Sequence, residues 1–284
     1  MSTDAKRRLA SAAFVALLIL SVFWPSSVVA VNQLCCHAPL AIDDLSFLGR
    51  EAPAWDVVFW FVTGLFALAL LQDAHDFRSI ALEFRDTRLR IGMSTAVAFA
   101  VSALGVVAIW IYVDAPVTAW SERIASGDVQ DWIRYANRFG GGMNPVMVIG
   151  FFLLAGLAYG ERRWLGYAIR MALAGAAGGV IVQIVKFAVG RTRPELWLGP
   201  FHHARASASS FPSGHTVGAF ALAGVLILNS ESKTMRIIAA LLALSVAVSR
   251  VLAFRHWASD VAASAAIGII AAATLSLPAP RSSR

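Results

Sequence analysis

Two histidines and an aspartate in the last third of the chain have the residue types for phosphoryl chemistry. His256 and Asp260 are four residues apart, so on a helix they would share one face. A carboxylate beside an imidazole fixes its tautomer and stabilises the imidazolium. His215 comes from a separate segment, FPSGHT (211–216), which opens directly onto an apolar run. Lys186, Arg193 and Arg250 add cations, with Arg191 close by. Two imidazoles, one oriented by a carboxylate, within a ring of cations suit attack on a phosphorus atom. One histidine would be the nucleophile and the other the acid for the leaving group, while the cations balance transition-state charge. Arginine grips phosphate through paired hydrogen bonds, and lysine supplies a compact charge. Gly214 lets backbone approach an oxyanion, and a helix beginning there favours an anion.

Each residue taken singly has a plainer reading. Ser213 is a good N-cap, which would leave His215 as an ordinary first-turn residue. A single cation at the end of an apolar run can simply snorkel to the interface. The elements that must position these groups decide between the readings. The chain has 284 residues, of which 58% are hydrophobic and 14% charged, with mean hydropathy +0.68. Soluble domains carry about 25% charged residues, so the deficit points to a membrane. A spanning helix needs roughly 20 apolar residues. Runs without charge cover 9–31, 91–113 and 140–160, and shorter ones lie at about 54–72, 166–185, 216–230, 237–249 and 261–277. The expected fold is therefore all-α, a polytopic transmembrane bundle of about eight helices.

Lys6, Arg7 and Arg8 precede the first run, and Val28-Val29-Ala30 would serve as a signal cleavage site. The length of the run and its Trp24-Pro25 interruption favour a retained helix. With the N-terminus inside, 14 of the 24 Lys and Arg fall on the inner side and 10 on the outer. Counting crossings then puts Lys186, His215, Arg250, His256 and Asp260 at helix ends on the same, outer side. Ionisable groups at membrane depth are costly and mark function. Five of them converging from four helix ends are not explained by snorkelling.

Other features are less informative. The net charge of +7 has an ordinary membrane explanation, and no nucleic-acid partner is expected. His202 and His203 could join His215 at a metal, but no cysteine or carboxylate completes a recognisable set, so neither metal nor cofactor is expected. Cys35 and Cys36 are adjacent, which would strain a disulfide, and they receive no role. Within 114–143, Val129, Trp132, Ile133, Ala136 and Phe139 share a helical face, as an interfacial helix would need.

The three motifs together resemble the type 2 phosphatidic acid phosphatase (PAP2) family of membrane lipid phosphatases. KFAVGRTRP (186–194) matches Lys-x6-Arg-Pro, FPSGHT holds Pro-Ser-Gly-His, and SRVLAFRHWASD (249–260) matches Ser-Arg-x5-His-x3-Asp. The resemblance covers roughly 89–277 and implies a six-helix core. Residues 1–88, with two further helices, lie outside it, and 114–143 forms an outer amphipathic segment of the 89–284 core. It implies His256 as the nucleophile of a phospho-histidine intermediate, Asp260 as its orienting group and His215 as the acid. Lys186, Arg193, Ser213, Gly214 and Arg250 would bind the phosphate. The implied partners are the bilayer and a phosphorylated lipid: phosphatidic acid, phosphatidylglycerol phosphate, undecaprenyl diphosphate or lipid A. An outward site on a bacterial inner membrane places undecaprenyl diphosphate or a related envelope lipid first. Transfer of the phosphoryl group to a second acceptor, or lipid binding without catalysis, are the alternative uses of such a pocket.

Overall fold

A computed structural model of the chain describes residues 77–141, 144–203 and 209–276. The helices expected at 9–31 and 54–72, together with Cys35 and Cys36, lie outside the described residues. Within them the chain forms nine α-helices: α1 (Phe77–Asp86), α2 (Met93–Tyr112), α3 (Asp114–Ile124), α4 (Asp128–Gly140), α5 (Asn144–Tyr159), α6 (Arg162–Val189), α7 (Gly214–Asn229), α8 (Lys233–Leu252) and α9 (Ala258–Thr274). One two-residue antiparallel ladder pairs β1 (Arg88–Leu89) with β2 (Leu275–Ser276), with Leu89 opposite Leu275. The protein is an all-α transmembrane bundle.

Six of these helices coincide with the six apolar runs expected after residue 90. α2, α6 and α8 are long enough to cross a bilayer by length and composition, whereas α5, α7 and α9 are shorter. A helix of 16 residues, such as α7, rises about 24 Å, less than the ~30 Å of bilayer hydrocarbon. α7 and α9 both begin at the polar segments that carry the motifs, so the missing turn is replaced there by loop.

The chain divides into two compact units, one of Met1–Glu83 with Gly150–Leu165 and one of Phe84–Ile149 with Gly166–Arg284. In the first unit, Arg162 pairs with Glu83 at 3.2 Å, and Trp164 packs among Phe151, Phe152 and Tyr159. The second unit holds every residue singled out for chemistry.

At the centre of the second unit, α7 lies against both α8 and α9, and α9 in turn against α2. Small residues permit this. A Cβ added at Gly268 would stand 2.7 Å from the Ala221 nitrogen and the Val217 carbonyl, so the backbones of α9 and α7 touch there. Gly178 of α6 gives similar room to Val217, where an added Cβ would be 2.6 Å from Cγ1. Between helices in lipid, close van der Waals packing through small residues replaces the hydrophobic drive available in water. At the opposite end of the bundle from the motifs, fully buried Arg170 donates to Asn229 Oδ1 at 2.9 Å.

Residues 114–141 form two helices, α3 and α4. The apolar face of α4 differs from the expected one. Ile133 and Ala136 are buried and α4 packs on α8, whereas Trp132 is 39% exposed. The stripe thus serves protein packing along the Ile133–Ala136 line, and its Trp132 edge is exposed.

Candidate active site

The motif residues meet at one end of the second unit because successive helices run in opposite directions. Lys186 lies in the last turn of α6, His215 in the first turn of α7, Arg250 in the last turn of α8, and His256 just before α9. His215 lies within electrostatic reach of Arg250, His256, Lys186 and Arg193. Residues spread over 70 positions of sequence are thereby brought to one place.

His256 and Asp260 do not share a helical face. α9 begins at Ala258, so His256 belongs to the turn that follows α8, in which Phe254 takes a left-handed φ of 56°. They are joined by the cap instead. Trp257 is the N-cap residue, and its amide donates to Asp260 Oδ2 at 2.9 Å. His256 Nδ1 is 2.6 Å from the Ser210 carbonyl oxygen and 3.7 Å from Asp260 Oδ2. A carbonyl only accepts, so Nδ1 carries the proton and Nε2 of the neutral ring keeps its lone pair. The backbone of Ser210 thus holds the tautomer, a position the sequence assigns to Asp260.

Asp260 is the hub of a buried network. Its Oδ1 accepts from Arg191 Nη1 and its Oδ2 from the Ser210 hydroxyl. Arg191 Nη2 donates to Asp114 Oδ2 at 2.6 Å and Nη1 to Ser259 Oγ at 2.7 Å. Asp114 also accepts from the Ser259 amide at 2.8 Å. Asp114 and Asp260 are 0% exposed and Arg191 1%, so both carboxylates depend on one guanidinium for charge balance. The indoles of Trp110 and Trp257 cover that guanidinium at 5.0 and 5.2 Å. Arg191 is held further by its Nε, which donates to the Pro200 carbonyl at 2.9 Å.

The FPSGHT segment is pinned to α9. Ser213 occupies the N-cap position of α7, but its side chain caps no helical amide. Its amide instead donates to Ser264 Oγ at 2.7 Å, and its hydroxyl accepts from Thr216 at 3.0 Å. Gly214 is exposed and free of such demands: an added Cβ would meet only Val182, at 3.8 Å. Nothing in the fold itself requires glycine there.

The cations differ in how fully they are used. Arg250 Nη1 donates to Asn137 Oδ1 at 2.7 Å, and Arg193 pairs with Glu195 at 3.4 Å. Among the described residues, the buried Nε groups of both arginines have no protein partner. A buried donor without an acceptor costs about 1–3 kcal/mol, which an anionic ligand would offset. His202 and His203 serve the loop: the His202 carbonyl accepts from Thr192, and His203 Nδ1 lies 2.9 Å from the Val189 carbonyl.

Sequence reasoning gave no role to Asp114, Asn137 or Ser210, and left Arg191 without a task. Asp114 had a legible signal, since it ends the charge-free run 91–113 on the same side as the motifs. Ser210 acts through its carbonyl as well as its hydroxyl, and Asn137 is an uncharged amide 113 residues from its partner Arg250. Neither has a sequence signature.

Residues 163–282 match the model of the PAP2 superfamily. Over 112 residues the chain is 35% identical to the lipid A 1-phosphatase of Porphyromonas gingivalis, an alignment covering 39% of this chain and 23% of that protein. The match therefore spans less than a quarter of that relative's length. The structure is similar to the crystal structure of the first transmembrane PAP2 type phosphatidylglycerolphosphate phosphatase from Bacillus subtilis, with a TM-score of 0.51 and 21% identity over 62% of this chain and 91% of that one. At that identity the likeness is one of fold.

Proposed function

Residues 163–282 match the PAP2 superfamily, and from that match we propose that the chain is an integral membrane phosphatase hydrolysing a lipid phosphate or diphosphate. His256 Nε2 attacks phosphorus, the P–O bond to the lipid breaks, and His215 gives the departing oxygen its proton. Water then attacks the phosphorus of the phospho-histidine, releasing phosphate and freeing Nε2. Lys186, Arg193, Arg250 and the Gly214 amide hold the phosphoryl oxygens, and Asp260 steadies the turn that presents His256. The observation that carries this reading is the pairing of a neutral, tautomer-fixed imidazole with two half-buried arginines whose buried Nε atoms have no partner among the described residues.

The crossing count and basic bias favour an active site on the outer, periplasmic side of a bacterial inner membrane, and hence an envelope lipid as substrate. The lipid A relative supports the same class. The experiment is a phosphate-release screen of the purified protein over phosphatidic acid, phosphatidylglycerol phosphate, undecaprenyl diphosphate and lipid A. Release from none of them sinks the hydrolase reading. Label appearing on a second lipid or sugar in place of free phosphate would make the protein a phosphotransferase using the same histidine.

Two further results are expected. Burial holds the His256 imidazole below its ordinary value of about 6.5, with Asp260 opposing and Arg250 and Lys186 adding to the depression. A depressed imidazole is neutral, and nucleophilic, above its own pKa and is lost as pH falls through it. The acid limb of log kcat/KM, which reports the free enzyme, should therefore have its midpoint below 6.5. A midpoint at or above the ordinary histidine value would remove His256 as the group being titrated. Gly214→Ala should fold with an unchanged melting temperature, since Val182 at 3.8 Å leaves room. It should lower kcat/KM by about tenfold to a hundredfold by displacing the phosphate. A variant as active as wild type would show that no ligand approaches Gly214.

A further inference from the structure

Asn137 and Gly141 belong to none of the three motifs, yet both touch residues that do. Asn137 sits near the C-terminus of α4 and its Oδ1 receives Arg250 Nη1 at 2.7 Å. Arginine only donates, so the amide oxygen must face it. The contact fixes one edge of the guanidinium and leaves Nε without a partner among the described residues. Gly141, the residue after α4, lies against the ring of His215. A Cβ added there would overlap His215 Nε2 and stand 2.8 Å from Cδ2. The backbone of Gly141 is extended, with φ −119° and ψ 165°, a conformation any residue adopts. Glycine is required by the imidazole and not by the chain path. Gly140 reinforces the seat, because its Cβ would overlap Val246 of α8 and come within 3.3 Å of His215 Cβ.

We propose that the C-terminal end of α4 is a positioning element of the active site, with Gly141 seating the His215 ring and Asn137 aiming Arg250. α4 is anchored for this task by Ile133 and Ala136, which are buried where the helix packs on α8. The inference rests on the phosphatase reading and assigns to this helix end the placement of the acid and of one phosphate-gripping cation. Gly141 controls proton delivery to the leaving oxygen. Asn137 controls capture of the phosphoryl group.

The two jobs separate in an experiment with full-length protein and two substrates, short-chain phosphatidic acid and p-nitrophenyl phosphate. An alkoxide leaving group needs a proton, whereas p-nitrophenolate leaves without one. Gly141→Ala should lower kcat on phosphatidic acid about a hundredfold, the low end of a general acid's contribution, and on p-nitrophenyl phosphate less than about tenfold. Asn137→Ala should raise KM about tenfold on both substrates, as expected for losing a hydrogen bond to a charged group. Asn137→Asp, which keeps the acceptor, should restore most of it. Equal losses on the two substrates for Gly141→Ala, or Asn137→Asp no better than Asn137→Ala, would overturn the proposal. So would wild-type kinetics in both variants, with the phosphatase reading left standing. A wild-type protein inert toward both substrates overturns this inference, and the phosphatase reading falls with it only if none of the four lipids is hydrolysed. If Gly141→Ala does not fold, the Asn137 pair decides alone.

Discussion

His256→Ala is expected to abolish phosphate release, by about 10⁴-fold or more, the scale seen when a nucleophile is removed. Among the described residues His215 is the other imidazole of the site, and its ring is confined against Gly141. The wild-type protein, quenched during turnover of a ³²P-labelled lipid, should carry acid-labile, base-stable label that His256→Ala lacks. Absence of label in the wild type together with residual release by the variant would replace the covalent mechanism by direct attack of water. Asp260→Asn is expected to keep a remnant of activity, because the nucleophile stays. The loss should still be substantial. Both oxygens of Asp260 accept from donors, namely Arg191 on one side and Ser210 with the Trp257 amide on the other. An amide nitrogen in either place would face another donor.

Arg191→Met should have the largest effect on stability. The substitution leaves Asp114 and Asp260, both 0% exposed, without the cation they share. Removing one partner of a buried ion network costs about 3–5 kcal/mol, since the remaining charge cannot be rehydrated. For a chain of this size that corresponds to a fall in melting temperature of roughly 10 °C. Thermal unfolding in detergent measures it. Adding Asp114→Asn to Arg191→Met should recover part of the loss by removing one stranded carboxylate. The cycle thereby tells charge imbalance from lost packing between Trp110 and Trp257. A melting temperature within a degree or two of wild type would show that the network contributes no net stability, and that Asp260 is held by Ser210 and the helix cap.

The all-α membrane fold and the identity of the chemical groups were legible in the sequence, for a physical reason in each case. Twenty apolar residues without charge have one stable arrangement in lipid, since every backbone amide must be satisfied within the segment. The six described runs accordingly became six apolar helices. Lys186, His215, Arg250, His256 and Asp260 stood out because a charge at membrane depth is costly unless used. Alternation of helix direction then put them at one end without further information.

How those groups are held was decided only by the tertiary structure. The spacing of four between His256 and Asp260 suggested a shared helical face, but α9 begins two residues after the histidine. The contact to Nδ1 comes from a main-chain carbonyl, and every residue has one, so no side-chain pattern can announce it. Asp114, Asn137 and Arg191 reach the site across 68 to 145 positions of sequence. Such contacts depend on which helices are neighbours, and α4 lies on α8 because Gly140 admits Val246. The amphipathic stripe of α4 reads alike whether it meets lipid or protein, because period 3.6 records that a face is apolar and not what covers it. Chemistry and membrane topology are properties of residue type and order. The hydrogen bonds that aim the chemistry are properties of distance, and distance was set by the packing of small residues between helices.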